Sequence, residues 1–509
     1  MMTISRLQPL LRLGLTGEDE RRKHVHMQQL PIKVLQIGEG NFLRGFADWM
    51  LQESIASGKY HGSVVLTPPT PRGAAKLKQI EQQEGLYTLV VQGLQDGQKV
   101  EKRQMISVFR DYVDPYTEWE RFLQLAELES LDVVISNTTE AGLVYTPIDY
   151  VPGEPMTNFP ARLTVLLQRR FAHFNGDPKR GLMILPCELI ENNGDVLREY
   201  VLRYGREFGF GEEFCSWVEQ SQLFLNNLVD RIVTGMPGDE EYARLTGSWG
   251  YEDSFLTTAE PYHLWAIQGD PSLDRRLPLA QAGLNVQWVP DLKPFRQRKV
   301  HILNGAHTLM MPAGLLQGKS TVREVMEDSE LGEWVRQTVD LEIIPALPIL
   351  PEELKRYAAE TFERFANPYL EHRLQDIAMN SISKFQSRLL PVLKAYTEKF
   401  DQLPEQLVYG LAALLRLYQV QETEQQDGTK IFTTQLPNGS TMNIRDHSGQ
   451  LGLLAGHWAG WQQHDESSCR QVIHDILADT GIWNEDLTAI AGLSEAVASK
   501  WIQMEVNPT

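Results

Sequence analysis

The chain has 509 residues, 42% hydrophobic and 23% charged, the balance of a globular protein with a sizeable core and room for two or more domains. Its net charge is −19, and no basic run is longer than the "RRK" at 21–23, which excludes a nucleic-acid partner because phosphate binding needs clustered cations. Three scattered cysteines, Cys187, Cys215 and Cys469, exclude a disulfide framework and a thiolate zinc site and suit a reducing cytoplasm.

The first 30 residues hold a weak apolar patch broken by Arg6 and Arg12, without the apolar segment and small-residue cleavage site of a signal peptide. No apolar run reaches the roughly 18–20 residues that span a bilayer, so no membrane partner is expected. "IKVLQI" at 32–37 reads as a strand that passes through a Gly-containing turn into a helix with Phe42, Phe46 and Trp49 on one face. A second strand, Val64 to Leu66, is stopped by prolines. A hairpin turning at Asp96-Gly97 follows, then a helix around "YTEWERFLQLAELES". "LDVVIS" is a third buried strand, residues 160–174 a long helix, and "LMILP" a fourth strand. Strands alternating with helices predict a parallel sheet with crossover helices. Beyond about residue 290 the period is helical, apart from a hairpin around Asn438-Gly439. The prediction is an α/β N-terminal domain and a mostly α-helical C-terminal domain.

"GEGNFLR" at 38–44 follows a strand and opens a helix. Gly38 allows a tight turn, Gly40 lets the backbone approach a pyrophosphate, and the helix start offers free N–H groups. The third glycine of the dinucleotide fingerprint is replaced by Leu43. The second strand ends without the acid that holds an adenosine ribose, offering only Thr67 and Arg72, so NAD and NADP both stay open.

"GEGNFLRGF", "SNTTEAG", "VDRI" at 229–232 and "KVHILNGAH" at 299–307 together resemble the signatures of the polyol-specific long-chain dehydrogenases, the mannitol dehydrogenase family. The likeness runs from about residue 32 to beyond 390. It implies an N-terminal extension at 1–30, a Rossmann-like dinucleotide-binding domain at 31–285 and a mostly helical substrate-binding and catalytic domain at 286–509. It also implies a nicotinamide cofactor, NAD with NADP not excluded. Ile37, Gly38, Glu39, Gly40, Asn41, Phe42 and Arg44 would contact it, together with Asn137, Thr138 and Glu140 of the second motif.

Hydride transfer from a secondary alcohol needs a base for the hydroxyl proton and a donor for the developing alkoxide. No convincing zinc-ligand set is present, so side chains must supply both. A lysine can act near neutral pH where burial or neighbouring positive charge lowers its pKa. The resemblance implies Lys299 as acid/base, Asn304 with Asn193 on the oxyanion, His307 on a substrate hydroxyl and Asp230 at the edge of the site. Eight residues are roughly two helical turns, so Lys299 and His307 are expected near one face. A plain amphipathic helix is the alternative for that stretch, and a structural pair or cap the alternative for Asp230-Arg231. Lys384 and Arg388, four apart on a helix, suit a carboxylate. The arginine that hexitol-specific members carry eight residues before this lysine falls at Asp376. The motifs therefore look like those of a keto-uronate reductase, whose partner is a small keto-uronate or aldonate. A different sugar acid or a hexitol is the nearest rival, and a non-catalytic nucleotide-binding sensor the rival from another class. Oligomeric state is left open.

Overall fold

The computed structural model describes residues 8–9, 18–139, 141–424, 430–462 and 465–506. The chain divides into two compact units. The first runs up to Gln92 and resumes at Lys99–Leu292; the second comprises Gly93–Gln98 and the chain from Lys293 onward.

The first unit is built on a six-stranded sheet of β1 (Ile32–Ile37), β2 (Ser63–Thr67), β3 (Phe109–Tyr112), β4 (Val133–Ser136), β5 (Met183–Pro186) and β6 (Leu223–Phe224). Its order is β3-β2-β1-β4-β5-β6, and every neighbouring pair is parallel. This is the doubly wound dinucleotide-binding arrangement, with the order reversing at β1. β2, β4 and β5 are buried along their whole length, as strands covered on both faces must be. Alternation along the strands sends Val34, Leu66 and Ile135 into one core and Leu35, Val65 and Val134 into the other.

The helices after β1 are α1 (Asn41–Gly45) and α2 (Ala47–Ala56). α3 (Phe159–His173) starts where the Asn158 side chain accepts the Ala161 N–H at 3.0 Å, with a proline in its first turn. α4 (Asn193–Glu207) follows β5. Smaller sheets, including β7 (Asn227–Asp230), β8 (Leu264–Gln268) and β9 (Val286–Val289), lie in a region that the hydrophobic pattern does not resolve into strands. The expected hairpin turn has positive φ at both Asp96 and Gly97, the signature of a type I′ connection. The N-terminal extension is partly core, since Met27 and Leu30 are buried with the first cluster.

The second unit contains α5 (Lys293–Arg298), α6 (Asn304–Leu316), α7 (Pro351–Phe365), α8 (Ser381–Arg388), α9 (Glu405–Leu417) and α10 (Leu493–Val506) among its helices. α6 is buried from Gly305 to Leu315, the behaviour of a helix that is apolar on every face. A three-stranded sheet of residues 421–424, 430–435 and 441–443 includes the expected hairpin.

Candidate active site

The chain leaves β1 through Gly38 at φ +132°, where a side chain is strained, and a Cβ there would stand 2.8 Å from the Asn137 carbonyl oxygen. The Gly38 N–H donates to Thr67 O at 2.9 Å, and the Asn137 N–H to Ile37 O at 3.0 Å. Glycine is therefore demanded where the ends of β1, β2 and β4 converge. Gly40 differs. It caps α1 with φ −69° and ψ 162°, and no atom lies within 4 Å of the Cβ it lacks. Leu43, in place of the third glycine, is buried, with Cδ1 3.3 Å from a Cβ on Gly38.

Arg44 is buried beneath this turn. Its Nη1 donates to Glu39 O at 2.6 Å, its Nη2 to Asn41 Oδ1 at 2.7 Å and its Nε to Thr257 Oγ1 at 3.3 Å. Burial lowers its pKa, and Asp48 and Glu39 oppose that shift. The guanidinium thus braces the turn from inside; a solvent-facing arginine would be needed to meet phosphate directly. Asn41 is exposed, and Phe42 stacks on Phe46 at 4.9 Å. A dinucleotide fits here on three counts: Gly38 closes the turn, the space beside Gly40 is open, and Glu39 Oε2 is a buried acceptor without a partner.

The loop after β4 is held by a residue that motif reading leaves unassigned. Glu188 accepts the Thr138 N–H and hydroxyl at 2.8 and 3.0 Å on one oxygen, and the Ser136 hydroxyl at 3.1 Å on the other. Burial raises its pKa and these bonds oppose the rise. Its only signal in the sequence is its place two residues after the strand "LMILP". Asn137 Nδ2 donates to Cys187 O at 2.8 Å. Glu140 lies outside the described residues.

Asn193 is placed differently from the expected oxyanion donor. Its Nδ2 donates to the carbonyls of Pro186, Glu188 and Asn227 at 2.7, 3.1 and 3.1 Å, and its Oδ1 accepts the N–H groups of Gly194 and Asn227 at 3.0 Å each. Both amide hydrogens are committed to the main chain, so Asn193 ties the end of β5 to β7. Gly194 is required beside it, because a Cβ would meet the Leu225 carbonyl carbon at 2.5 Å. Asp230 is buried at the end of β7. Arg231 braces the neighbourhood: Nε donates to Glu260 O at 2.9 Å, Nη1 to Gly45 O at 2.7 Å, and the guanidinium lies over Trp49 at 4.0 Å. Burial pushes its pKa down to about 9.

In the second unit Lys299 sits on a π-helical turn, Lys299–Leu303, where a continuous α-helix was expected. The Asn304 N–H donates to Lys299 O, an i→i+5 bond. Eight α-helical residues overshoot two full turns by about 80°. The wider π turn takes fewer degrees per residue and removes much of that excess, so Lys299, Asn304 and His307 share a face. Lys299 and Asn304 are half-buried and His307 is buried. His307 Nε2 is buried without a partner.

His307 packs on Phe365 at 4.3 Å and His372 at 4.6 Å between ring centroids. Its pKa lies well below the ordinary value, first through burial and then through His372, Arg364, Arg388 and Lys384. Arg388 Nη1 donates to Thr308 Oγ1 at 3.1 Å and to Asn304 O at 3.3 Å; Lys384 Nζ donates to Ile377 O at 2.8 Å. Burial lowers the pKa of both cations, with Arg388 adding to the shift of Lys384. Sequence reading places Lys384 and Arg388 here but misses Arg364, in the last turn of α7, and His372. The hairpin also gains a purpose. Asp446, just beyond it, accepts the Ile382 N–H at 3.1 Å and the Tyr418 hydroxyl at 2.9 Å, so it fixes the start of α8, which carries both cations. Among the described residues no three His, Cys, Asp or Glu side chains are grouped to hold a metal ion.

Residues 32–281 match the family model described as the mannitol dehydrogenase Rossmann domain, and residues 291–505 that of the mannitol dehydrogenase C-terminal domain. Altronate oxidoreductase of Bacillus subtilis (strain 168) is 41% identical over 473 residues, 93% of this chain and 92% of its own length. Altronate oxidoreductase of Escherichia coli O7:K1 is 39% identical over 479 residues, covering 92% and 94%. Among solved structures, a D-sorbitol dehydrogenase in substrate-free form has a TM-score of 0.75 at 20% identity, covering 94% of both chains. The Pseudomonas fluorescens mannitol 2-dehydrogenase in ternary complex with NAD and D-mannitol has a TM-score of 0.61 at 19% identity, covering 95% of this chain and 93% of that one. At those identities the structures share the fold, while the family models and the curated relatives establish more: the chain belongs to the mannitol dehydrogenase family.

Proposed function

We propose that the protein is a nicotinamide-dependent oxidoreductase that interconverts the keto-uronate D-tagaturonate and the aldonate D-altronate, without a metal. The carrying observation is the buried, unpartnered His307 Nε2, acted on by His372, Arg364, Arg388 and Lys384, and helix geometry brings Lys299 and Asn304 toward the same face. On a chain of net charge −19, such a local excess of positive charge is a built feature that favours an anionic substrate. Relatives named altronate oxidoreductase support the sugar.

A bound nicotinamide supplies or accepts the hydride. Gly38, Gly40, Asn41 and Phe42 line its turn, with Asn137 and Thr138 on the adjoining loop, while Arg44, Glu188 and Asn193 hold that frame. In the reducing direction Lys299, as an ammonium, gives a proton to the alkoxide oxygen as the carbonyl bond opens. In oxidation the amine takes that proton back. Asn304 donates a hydrogen bond to the same oxygen, stronger for the alkoxide than for the ketone, which is the source of its catalytic value. His307 is neutral at physiological pH, so its Nε2 can pair with a substrate hydroxyl. Lys384 and Arg388 receive the carboxylate. Asp230 is proposed at the margin of this chemistry.

Following nicotinamide absorbance with tagaturonate, fructuronate, fructose and their reduced forms tests the reading. Tagaturonate and altronate should give the highest kcat/KM. Turnover of fructuronate alone would move the assignment to another sugar acid, and turnover of neutral hexitols alone would remove the carboxylate site.

A further inference from the structure

We propose that Glu39 makes the chain selective for NAD over NADP, by accepting the hydroxyls of the adenosine ribose in place of the acid missing from the end of β2. This rests on the nucleotide-binding reading of the first unit and narrows it.

In a doubly wound sheet the ribose sits beyond the second strand, where a carboxylate ordinarily holds it. Here β2 ends at Thr67, which is fully buried and whose hydroxyl donates to Gln36 O at 3.1 Å inside the sheet. Pro68, Pro69 and Thr70 follow, and none carries a charge. Yet a carboxylate does reach this place, from the glycine turn. A Cβ on Gly73 would lie 2.9 Å from Glu39 Oε1 and 2.7 Å from Pro68 Cβ, so the Glu39 carboxylate lies against the segment that leaves β2. Its backbone is fixed by the 2.6 Å bond from Arg44 to Glu39 O.

Glu39 is only 8% exposed, and its Oε2 has no hydrogen-bond partner. A buried carboxylate oxygen without a donor is costly, and a ribose diol supplies the missing O–H groups. A 2′-phosphate would remove one of those donors and bring a dianion against a carboxylate, with both effects opposing NADP. Arg72 is exposed and is the cation that could meet a 2′-phosphate, so it is the rival that the test must separate from Glu39.

The test is equilibrium titration of the purified protein with NADH and NADPH, read by nicotinamide fluorescence without any sugar. Wild type should bind NADH more tightly. Glu39→Gln should lower the NADPH-to-NADH ratio of dissociation constants by about tenfold or more, the scale of a charge-assisted contact. Glu39→Asp, which keeps the charge, should retain the preference with weaker binding of both. Arg72→Ala should leave the ratio unchanged. A parallel weakening of both nucleotides in Glu39→Gln, or a wild-type preference for NADPH that Arg72→Ala abolishes, would overturn the assignment alone. Binding of neither nucleotide by folded wild type would overturn the nucleotide reading and the assignment with it.

Discussion

The glycine turn of the first unit and the His307 neighbourhood of the second hold their key side chains in different ways. Around the glycine turn most of them are satisfied by the protein itself: Arg44 by Glu39, Asn41 and Thr257, Glu188 by Ser136 and Thr138, Asn193 by three carbonyls. On α6 and α8 the groups that matter are crowded by like charge or, as His307 Nε2 is, left without a partner. A satisfied network rigidifies a frame, whereas an unsatisfied one costs stability and persists where a ligand completes it. By that criterion the hydrogen-bonded frame of Arg44, Glu188 and Asn193 reads as a cradle, Glu39 Oε2 is one of its open valences, and the His307 neighbourhood is the proposed place of substrate chemistry.

The harshest test of the contrast is Lys299→Ala. It should lower kcat by about 10²–10⁴-fold, the span of a general acid/base, while nucleotide affinity in the first unit stays near wild type. Near-normal turnover in this variant would reduce the π-turn residues to a decorated helix face. Next in size is Arg388→Leu, which should raise KM for the keto-uronate by about 10- to 150-fold, the loss of one hydrogen bond to a charged group. KM for a neutral ketohexose should change much less. Equal effects on both would place the carboxylate elsewhere.

A pair of glycine variants separates cradle from contact within the first unit. Gly38→Ala meets both a positive φ and the Asn137 carbonyl, so it should lower Tm and weaken nucleotide binding together. The φ strain alone costs about 1–3 kcal/mol. Gly40→Val points into open space and should keep Tm while weakening binding. Thermal melts beside NADH titrations decide it. A Gly40→Val protein with wild-type affinity would make the second glycine a turn residue only.

How legible each region was follows from the same contrast. β1, β2, β4, β5 and the turn at Asp96-Gly97 declare themselves through apolar runs and φ-permissive residues, both local signals. The strands between 223 and 289 do not, because several are only two or three residues long and others, "NLVD" at 227–230 and "VQWV" at 286–289, mix polar with apolar residues. Lys299, Asn304, His307, Lys384 and Arg388 are visible as polar residues on apolar helices. Arg364 and His372 are not, since nothing within α7 or the following loop marks them until folding brings them beside His307. The π turn is equally invisible: "KVHILNGAH" carries no glycine or proline at Lys299–Leu303 to announce a widened helix. Asn193 shows the reverse case, a residue whose motif suggests chemistry and whose five hydrogen bonds in the fold, all to the main chain, give it a framing role that the motif does not announce.

The smallest expected effect is a difference in how the two units respond to pH. Asp48 of α2 is fully buried, with Oδ2 3.1 Å from the Tyr87 hydroxyl and 3.4 Å from Gln36 Nε2, and burial pushes its pKa up to about 7. An unfolded aspartate titrates near 3.9. Between about pH 4 and 7 the unfolded chain has lost a proton that the folded chain keeps, so this group's contribution to stability falls as pH rises through that window and is level above it. Asp48→Asn removes the slope. Relative to wild type its Tm should be higher at pH 8 than at pH 5, by several degrees, since one pKa unit is about 1.4 kcal/mol and about 1 kcal/mol moves Tm by about 2–4 °C in a domain of this size. The second unit tilts the other way. His307, held well below its ordinary pKa, is neutral in the fold, so its contribution falls as pH drops below about 6.5, where the unfolded chain takes up a proton the folded chain refuses. Melting curves of Asp48→Asn that track wild type at every pH would show that Asp48 is already ionised beside Arg44, and the first unit's buried acid would then belong to the satisfied frame rather than stand as a titrating exception to it.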